Sequence, residues 1–210
     1  MRQSLLPINS FLAEPLVPWF IRWKISANAV TLLSLLFGLA GAFLFLGGSN
    51  SFMVLGAVGF LLANVLDECD GKVARQTGTS SRLGALLDTL ADFFVHTAFF
   101  LTLGFGLARQ FPHGPWAILG IIAAVGNVVS CILDISGLSG APPKSAAPSQ
   151  EQSGLLEWVT EWFRVDFSLL VLISALVHQM GWILWAGAVG VFLFWIPSTV
   201  LIVARGKGSA

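Results

Sequence analysis

Asp67-Glu68-Cys69-Asp70-Gly71-Lys72-Val73-Ala74-Arg75, followed by Gly84, Asp88 and Asp92, sets four aspartates within 26 residues of an otherwise apolar chain. The apolar run from Phe52 to Leu66 leads into this stretch, and the run from Phe93 to Leu107 leads out of it. Charges at the edge of membrane segments are costly unless paired, solvated or bound to metal, which makes these carboxylates functional candidates. Asp67 and Asp70 are three residues apart and Asp88 and Asp92 four, so on helices each pair shares a face. Two such faces meeting form a four-carboxylate pocket, which repels itself unless divalent cations fill it.

The rest of the composition fits a membrane setting. Of 210 residues 56% are hydrophobic and only 10% charged, too apolar for a soluble domain of this length. The net charge is zero, which leaves no electrostatic case for a nucleic-acid partner. Cys69 and Cys131 belong to no Cys/His cluster, so neither zinc nor a disulfide framework is expected, and Cys69 reads as a small filler residue. The first residues, with Pro7, Pro15 and Pro18 and no continuous apolar core before Ile25, do not read as a cleaved signal peptide.

Outward from the acidic stretch, the pattern predicts an all-α polytopic membrane protein of about six transmembrane helices, each near the ~20 residues a bilayer requires. The expected spans are 28–48, 51–75, 82–108, 115–136, 165–180 and 182–204. The last two are divided only by His178-Gln179-Met180-Gly181, so five spans are the alternative. Residues 1–26 combine apolar mass with Arg22 and Lys24 and predict an interfacial amphipathic helix broken by prolines. Residues 137–164 read as a polar loop, rich in Pro and Ser, ending in a short helix over 155–163. With no internal repeat, residues 1–210 form one membrane domain on this reading. Six spans with both termini inside put ten of the eleven basic residues on one side, all but Arg109. That bias places the acidic stretch on the cytoplasmic face, in a bacterial or archaeal inner membrane. Seven tryptophans, among them Trp19, Trp23, Trp116, Trp182 and Trp185, fall near span ends as an aromatic belt.

Written out, the pattern is Asp67-x2-Asp70-Gly71-x2-Ala74-Arg75-x8-Gly84-x3-Asp88-x3-Asp92. It resembles the signature of the CDP-alcohol phosphatidyltransferase family at every defined position, and Asn28-x2-Thr31 at the start of the first span is similar to the family as well. The resemblance implies a metal-dependent CDP-alcohol phosphotransferase. Such an enzyme moves a phosphatidyl or other substituted phosphoryl group from a CDP-alcohol to an acceptor alcohol, releasing CMP, in phospholipid or polar-lipid synthesis. It also implies that Asp67, Asp70 and Asp88 are metal ligands, and that Asp92 is the base for the acceptor hydroxyl and also touches a metal. CDP-diacylglycerol is the preferred donor, a small polyol or polyol phosphate the preferred acceptor, and a homodimer the default assembly.

The chemistry asked of these residues is consistent with that resemblance. Phosphoryl transfer needs a neutralised diphosphate, an in-line nucleophile and a proton acceptor. Carboxylate oxygens suit Mg²⁺ or Mn²⁺, and four carboxylates can hold two such ions. Gly71, Ala74 and Gly84 would let a nucleotide approach the helix backbone, unless their small size serves helix packing instead. Arg75 could pair with a phosphate or with the carboxylates. Asn28 and Thr31 could reach the nucleotide or simply begin the first helix. Glu68 lies off the face of Asp67 and Asp70 and reads as a solvated or interfacial charge. Lys144, Arg164 and Arg205 are the candidate clamps for a phosphate on acceptor or lipid, with headgroup anchoring as the competing reading. His96 reads as a packing residue.

The shared motif does not identify the acceptor. Several diacylglycerol-donor members of the family carry a Tyr-x-Arg-Ala-like sequence in the fourth span, where this chain reads Ser130-Cys131-Ile132-Leu133-Asp134-Ile135-Ser136. Two other readings stay open on sequence: a soluble CDP-alcohol donor with a lipid acceptor, and a divalent-cation transporter using the acidic cluster.

Overall fold

The computed structural model describes residues 8–135 and 167–190. Lys144, Arg164, Arg205, the loop and short helix expected over 137–164 and most of the sixth span lie outside the described residues. Eight helices run through the rest: α1 (Ile8–Ala13), α2 (Leu16–Arg22), α3 (Ala27–Phe45), α4 (Asn50–Thr77), α5 (Arg82–Gln110), α6 (Trp116–Ile135), α7 (Phe167–Leu176) and α8 (Gly181–Gly190).

Four of them, α3 to α6, are long and apolar enough to cross a membrane. The expected division near residue 180 is present. A turn with His178 at φ 58 separates α7 from α8, so the apolar run after residue 166 is two helices rather than one. The N-terminal segment is also two helices instead of one. Pro15 has no N–H to continue the α1 ladder, whereas Pro18 is tolerated in the first turn of α2. Ala13, Val17 and Phe20 turn inward from these helices, while Phe11, Trp19 and Trp23 are exposed. That is the two-faced character expected of an interfacial segment.

Serine side chains start α3, α4 and α5 at the same relative position. Ser26, Ser49 and Ser81 accept from the backbone N–H three residues on, in Ala29, Phe52 and Gly84. Gly78, with φ 66, ends α4, and the Thr79 N–H closes onto the Ala74 carbonyl at 3.0 Å. With 28 residues, α4 is roughly 42 Å long at ~1.5 Å per residue, well over the ~30 Å hydrocarbon core. Asp67 lies roughly 26 Å along it from Asn50, where the apolar layer ends.

The core is aromatic and closely packed. Phe60 stacks on Phe99 with ring centroids 4.6 Å apart, and Phe45 meets Phe99 edge-on at 5.3 Å. Helices approach through glycine. A Cβ on Gly41 would sit 2.8 Å from the Gly56 carbonyl, joining α3 to α4, and one on Gly106 would clash with the Phe45 carbonyl, joining α5 to α3. Gly106→Ala must push two backbones apart. It should therefore destabilise the protein by about 1–3 kcal/mol, read as a lower thermal midpoint in detergent. An unshifted melt would mean that α3 and α5 are not in backbone contact there.

Candidate active site

The four-residue link turns the chain back so that α5 runs alongside α4, both helices packing on α3 rather than closely on each other, with long side chains such as Phe60 and Phe99 bridging them. Asp70 stands two turns before the end of α4 and Asp88 just under two turns after the start of α5, so the acidic residues come level. The structure brings three of them together. Asp67, Asp70 and Asp88 each offer a carboxylate oxygen, and these oxygens lie within 4.8 Å of one another. Ligand oxygens on opposite sides of a Mg²⁺ are about 4.2 Å apart at ~2.1 Å per bond, so the set is of cation size. Its all-oxygen character fits hard cations such as Mg²⁺ and Mn²⁺. Asp92, one turn beyond Asp88 on α5, stands outside that 4.8 Å set.

Asp70 is the most enclosed of the group, at 5% exposure. The Thr31 hydroxyl reaches across from α3 and donates to Asp70 Oδ2 at 2.5 Å, and it also lies 3.1 Å from the Ala27 carbonyl of its own helix. The sequence left Thr31 between a nucleotide contact and the helix start, and the structure adds that its hydroxyl is bonded to the Asp70 carboxylate. Nearby, Ser34 donates to the Ala63 carbonyl at 2.9 Å, fixing α3 against α4 one turn before the acidic stretch. Neither serine–carbonyl nor threonine–carboxylate pairs have a signature in the chain, because the partners are tens of residues apart.

Gly71 and Gly84 differ from the packing glycines. The nearest atoms to a Cβ on Gly84 are Ser81 Oγ at 3.2 Å and Asn28 Oδ1 at 3.3 Å, and on Gly71 the Arg75 guanidinium at 3.2 Å. Neither glycine faces the backbone of a neighbouring helix, so their size is not needed for helix contact. Asn28 and Ser81 also line a cavity of about 370 Å³ with Lys24, Ser26, Thr77 and Thr79, one turn of α3 away from Thr31. Ala74 is half-buried on the same stretch of α4, and Arg75 is exposed beside it.

The other polar residues divide differently from expectation. His96, one turn past Asp92, places Nδ1 2.9 Å from the Asp92 carbonyl and packs its ring against Phe60 and Phe167, as a packing residue would. Cys69 is fully buried against α1, with Sγ 3.7 Å from the Ala13 carbonyl. Glu68, read as a solvated or interfacial charge, is partly exposed, its side chain at 40%, and has partners on α1 and on its own helix. It accepts from the Ser10 hydroxyl at 3.2 Å and pairs with Lys72 at 3.5 Å, because α1 covers the face of α4 opposite the aspartates. A larger cavity, about 660 Å³ and lined by Met53, Phe111, Trp116, Trp182 and Trp185, lies at the other ends of the helices. Met53 is roughly 20 Å along α4 from Asp67, so that cavity is not part of the acidic site.

The sequence profile described as CDP-alcohol phosphatidyltransferase matches residues 24–196, most of the chain. The chain belongs to the CDP-alcohol phosphatidyltransferase family. It is thereby placed among membrane CDP-alcohol phosphotransferases, enzymes of phospholipid synthesis. It is 26% identical over 200 residues to the phosphatidylinositol phosphate synthase of Mycobacterium tuberculosis, covering 92% of this chain and 83% of that protein. An uncharacterised protein of Aquifex aeolicus is 34% identical over 105 residues, half of this chain and 52% of its own length. A bifunctional IPC transferase and DIPP synthase of the same organism is 26% identical over 118 residues, of which only 26% of its length is matched. The chain thus spans about half or less of these two Aquifex relatives. Among solved structures, the M. tuberculosis phosphatidylinositol phosphate synthase with CDP-DAG bound aligns with a TM-score of 0.63 at 23% identity, over 90% of this chain and 92% of that one. The same enzyme in complex with manganese and citrate aligns with a TM-score of 0.60 at 25% identity, over 93% and 87%.

Proposed function

We propose that this protein transfers a phosphatidyl group from CDP-diacylglycerol to the hydroxyl of a small polyol or polyol phosphate, releasing CMP. The observation that carries the proposal is the convergence of Asp67, Asp70 and Asp88 within 4.8 Å in a chain of this family. The manganese complex of a solved relative and the all-oxygen donor set support a divalent cation, Mg²⁺ or Mn²⁺, held by these three residues. The acidity of four aspartates supports two ions. When bound, such ions neutralise the diphosphate and polarise its phosphorus–oxygen bonds.

The protein's own residues do the rest. Asp92 takes the proton of the acceptor hydroxyl, whose oxygen forms the new bond to the phosphorus carrying the donor alcohol as the bond to CMP breaks. Its place outside the trio supports a proton-handling role, with contact to a cation secondary. Gly71, Ala74 and Gly84 leave the backbone of α4 and α5 open to the nucleotide, and Asn28 borders the adjoining cavity. Thr31 acts through Asp70. The exposed Arg75 guanidinium is placed to meet a phosphate. Lys144, Arg164 and Arg205 remain the candidate clamps for an acceptor phosphate.

The name of the Mycobacterium relatives, phosphatidylinositol phosphate synthase, supports the phosphatidyl donor and a polyol-phosphate acceptor. The cytoplasmic orientation rests on the positive-inside count, and the single membrane domain and homodimer rest on the family pattern. Buried Phe60 and Phe99 stack two turns beyond Asp67 and Asp92 and fill the core there with apolar side chains, which supports a transferase over a transporter.

The test is CMP release by the purified protein in detergent with CDP-diacylglycerol, Mg²⁺ or Mn²⁺, and a pool of glycerol 3-phosphate, inositol, inositol phosphate, serine and phosphatidylglycerol. Release is expected only with metal and acceptor present, and splitting the pool names the acceptor. Silence with CDP-diacylglycerol but release from CDP-inositol, CDP-glycerol or CDP-choline with lipid acceptors would move the proposal to a soluble donor. Silence throughout, with Mn²⁺ bound, would overturn it.

A further inference from the structure

On the side of α4 away from the aspartates, a second set of polar contacts joins the acidic stretch to α1. Lys72 Nζ donates to the Ser10 carbonyl at 3.0 Å and to Ser10 Oγ at 2.6 Å, and it pairs with Glu68 Oε1 at 3.5 Å. Ser10 Oγ in turn donates to Glu68 Oε1 at 3.2 Å. Two of the ammonium's three donors are thus taken by Ser10, and the partly exposed Glu68 supplies the facing charge and closes the circuit through the Ser10 hydroxyl. The Lys72 side chain is only 18% exposed. Taking an ammonium that far out of water is costly unless its partners are fixed, so the arrangement favours one seating of α1 on α4. Cys69 lies under the Ala13 carbonyl in the same contact, and Asn9 accepts from the buried Ser168 of α7 at 3.2 Å.

Glu68, Cys69 and Lys72 alternate along the helix with Asp67, Asp70 and Gly71. Whatever fixes the rotation of α4 for the first group fixes it for the second. On the aspartate side the rotation is held by Thr31, and on the far side by this circuit. We propose that Ser10 is a positioning residue for the cation-binding aspartates, acting through Lys72 and Glu68 to set the rotation of α4. The role rests on the reading of Asp67, Asp70 and Asp88 as cation ligands. It makes the N-terminal interfacial helix part of the active-site scaffold as well as a membrane anchor.

The test compares full-length wild type, Ser10→Ala, Ser10→Thr and Lys72→Gln for Mn²⁺ affinity by calorimetry, for CMP release against Mn²⁺ and CDP-diacylglycerol, and for melting without metal. Ser10→Ala and Lys72→Gln should each raise the Mn²⁺ Kd about 10-fold, as loss of groups that orient metal ligands commonly does. The Mn²⁺ needed for half-maximal activity should rise in parallel, with the KM for CDP-diacylglycerol unmoved. Ser10→Thr, which keeps the hydroxyl, should restore the wild-type Mn²⁺ response. Unchanged Mn²⁺ affinity in Ser10→Ala and Lys72→Gln would overturn the proposal. So would a loss of affinity that Ser10→Thr shares and that tracks a lowered melting point. If wild type binds Mn²⁺ but releases no CMP, the transferase reading falls, and the calorimetric comparison still decides the role of Ser10.

Discussion

Asp92→Asn is expected to lower the rate of CMP release by about 10²–10⁴-fold at saturating metal and CDP-alcohol, the range over which a positioned proton acceptor contributes. Asparagine keeps the size of the side chain and removes its ability to take a proton. The backbone carbonyl that His96 approaches at 2.9 Å is untouched, so α5 should keep its local packing. Because the 4.8 Å carboxylate set is complete without Asp92, Mn²⁺ affinity should fall much less than the rate. Asp88→Asn supplies the contrast. It is the same change one turn earlier on the same helix, and its loss of rate should be accompanied by a matching loss of Mn²⁺ affinity. Calorimetry and single-turnover CMP release on the two variants separate the roles. A fall of less than about tenfold in Asp92→Asn would remove Asp92 as the proton acceptor.

What could be read from the chain was whatever repeats at helical spacing. The apolar runs marked α3, α4, α5 and α6, and the three- and four-residue spacing of the aspartates put each pair on one face. The short Gly78–Ser81 link returns the chain alongside α4, but the two helices come together by both packing on α3, so the meeting of those faces is a tertiary fact. The contacts that hold the aspartates were not legible. Thr31 and Asp70 are separated by 39 residues and Ser10 and Lys72 by 62, and nothing local marks either partner. The partners of Glu68, which is partly exposed, were hidden for the same reason. Its position off the aspartate face was correct, but the cover that α1 provides on that face is a tertiary fact. The fourth-span departure at residues 130–136 is a different case. The chain is similar to phosphatidylinositol phosphate synthases over most of its length without the Tyr-x-Arg-Ala-like sequence, so that stretch does not govern overall resemblance.

The glycines show why one residue type carries two meanings. Gly41, Gly56 and Gly106 are small because a backbone lies where a Cβ would go, and Gly71 and Gly84 are small where only polar side-chain ends are near. Sequence spacing cannot tell these apart, since each lies on a helix in an apolar context. Backbone separation can, and it assigns the motif glycines to an open face.

Asp70→Asn separates ligand from scaffold most sharply, because its effects on stability and on metal binding have opposite signs. Asp70 is buried at 5% exposure with Asp67 and Asp88 within 4.8 Å, so without a cation its charge is opposed by its neighbours. Asparagine removes that repulsion while its carbonyl still accepts from Thr31. In chelator, Asp70→Asn should therefore melt at or above the wild-type temperature. Added Mn²⁺ should stabilise wild type by about 2.7 kcal/mol at a hundredfold excess over its Kd, and should leave Asp70→Asn nearly unshifted. CMP release should fall with the lost binding. Thr31→Val is the complementary change. It keeps the charge and deprives a buried carboxylate of its donor, so it should destabilise the metal-free protein by about 1–3 kcal/mol and weaken Mn²⁺ binding by about 10–100-fold. A purely structural Asp70 would give the reverse order: Asp70→Asn less stable than wild type in chelator, with its Mn²⁺ response intact. Thermal melts of the three proteins with and without Mn²⁺ therefore decide whether the acidic stretch is held together by the fold or by the cation it is built to receive.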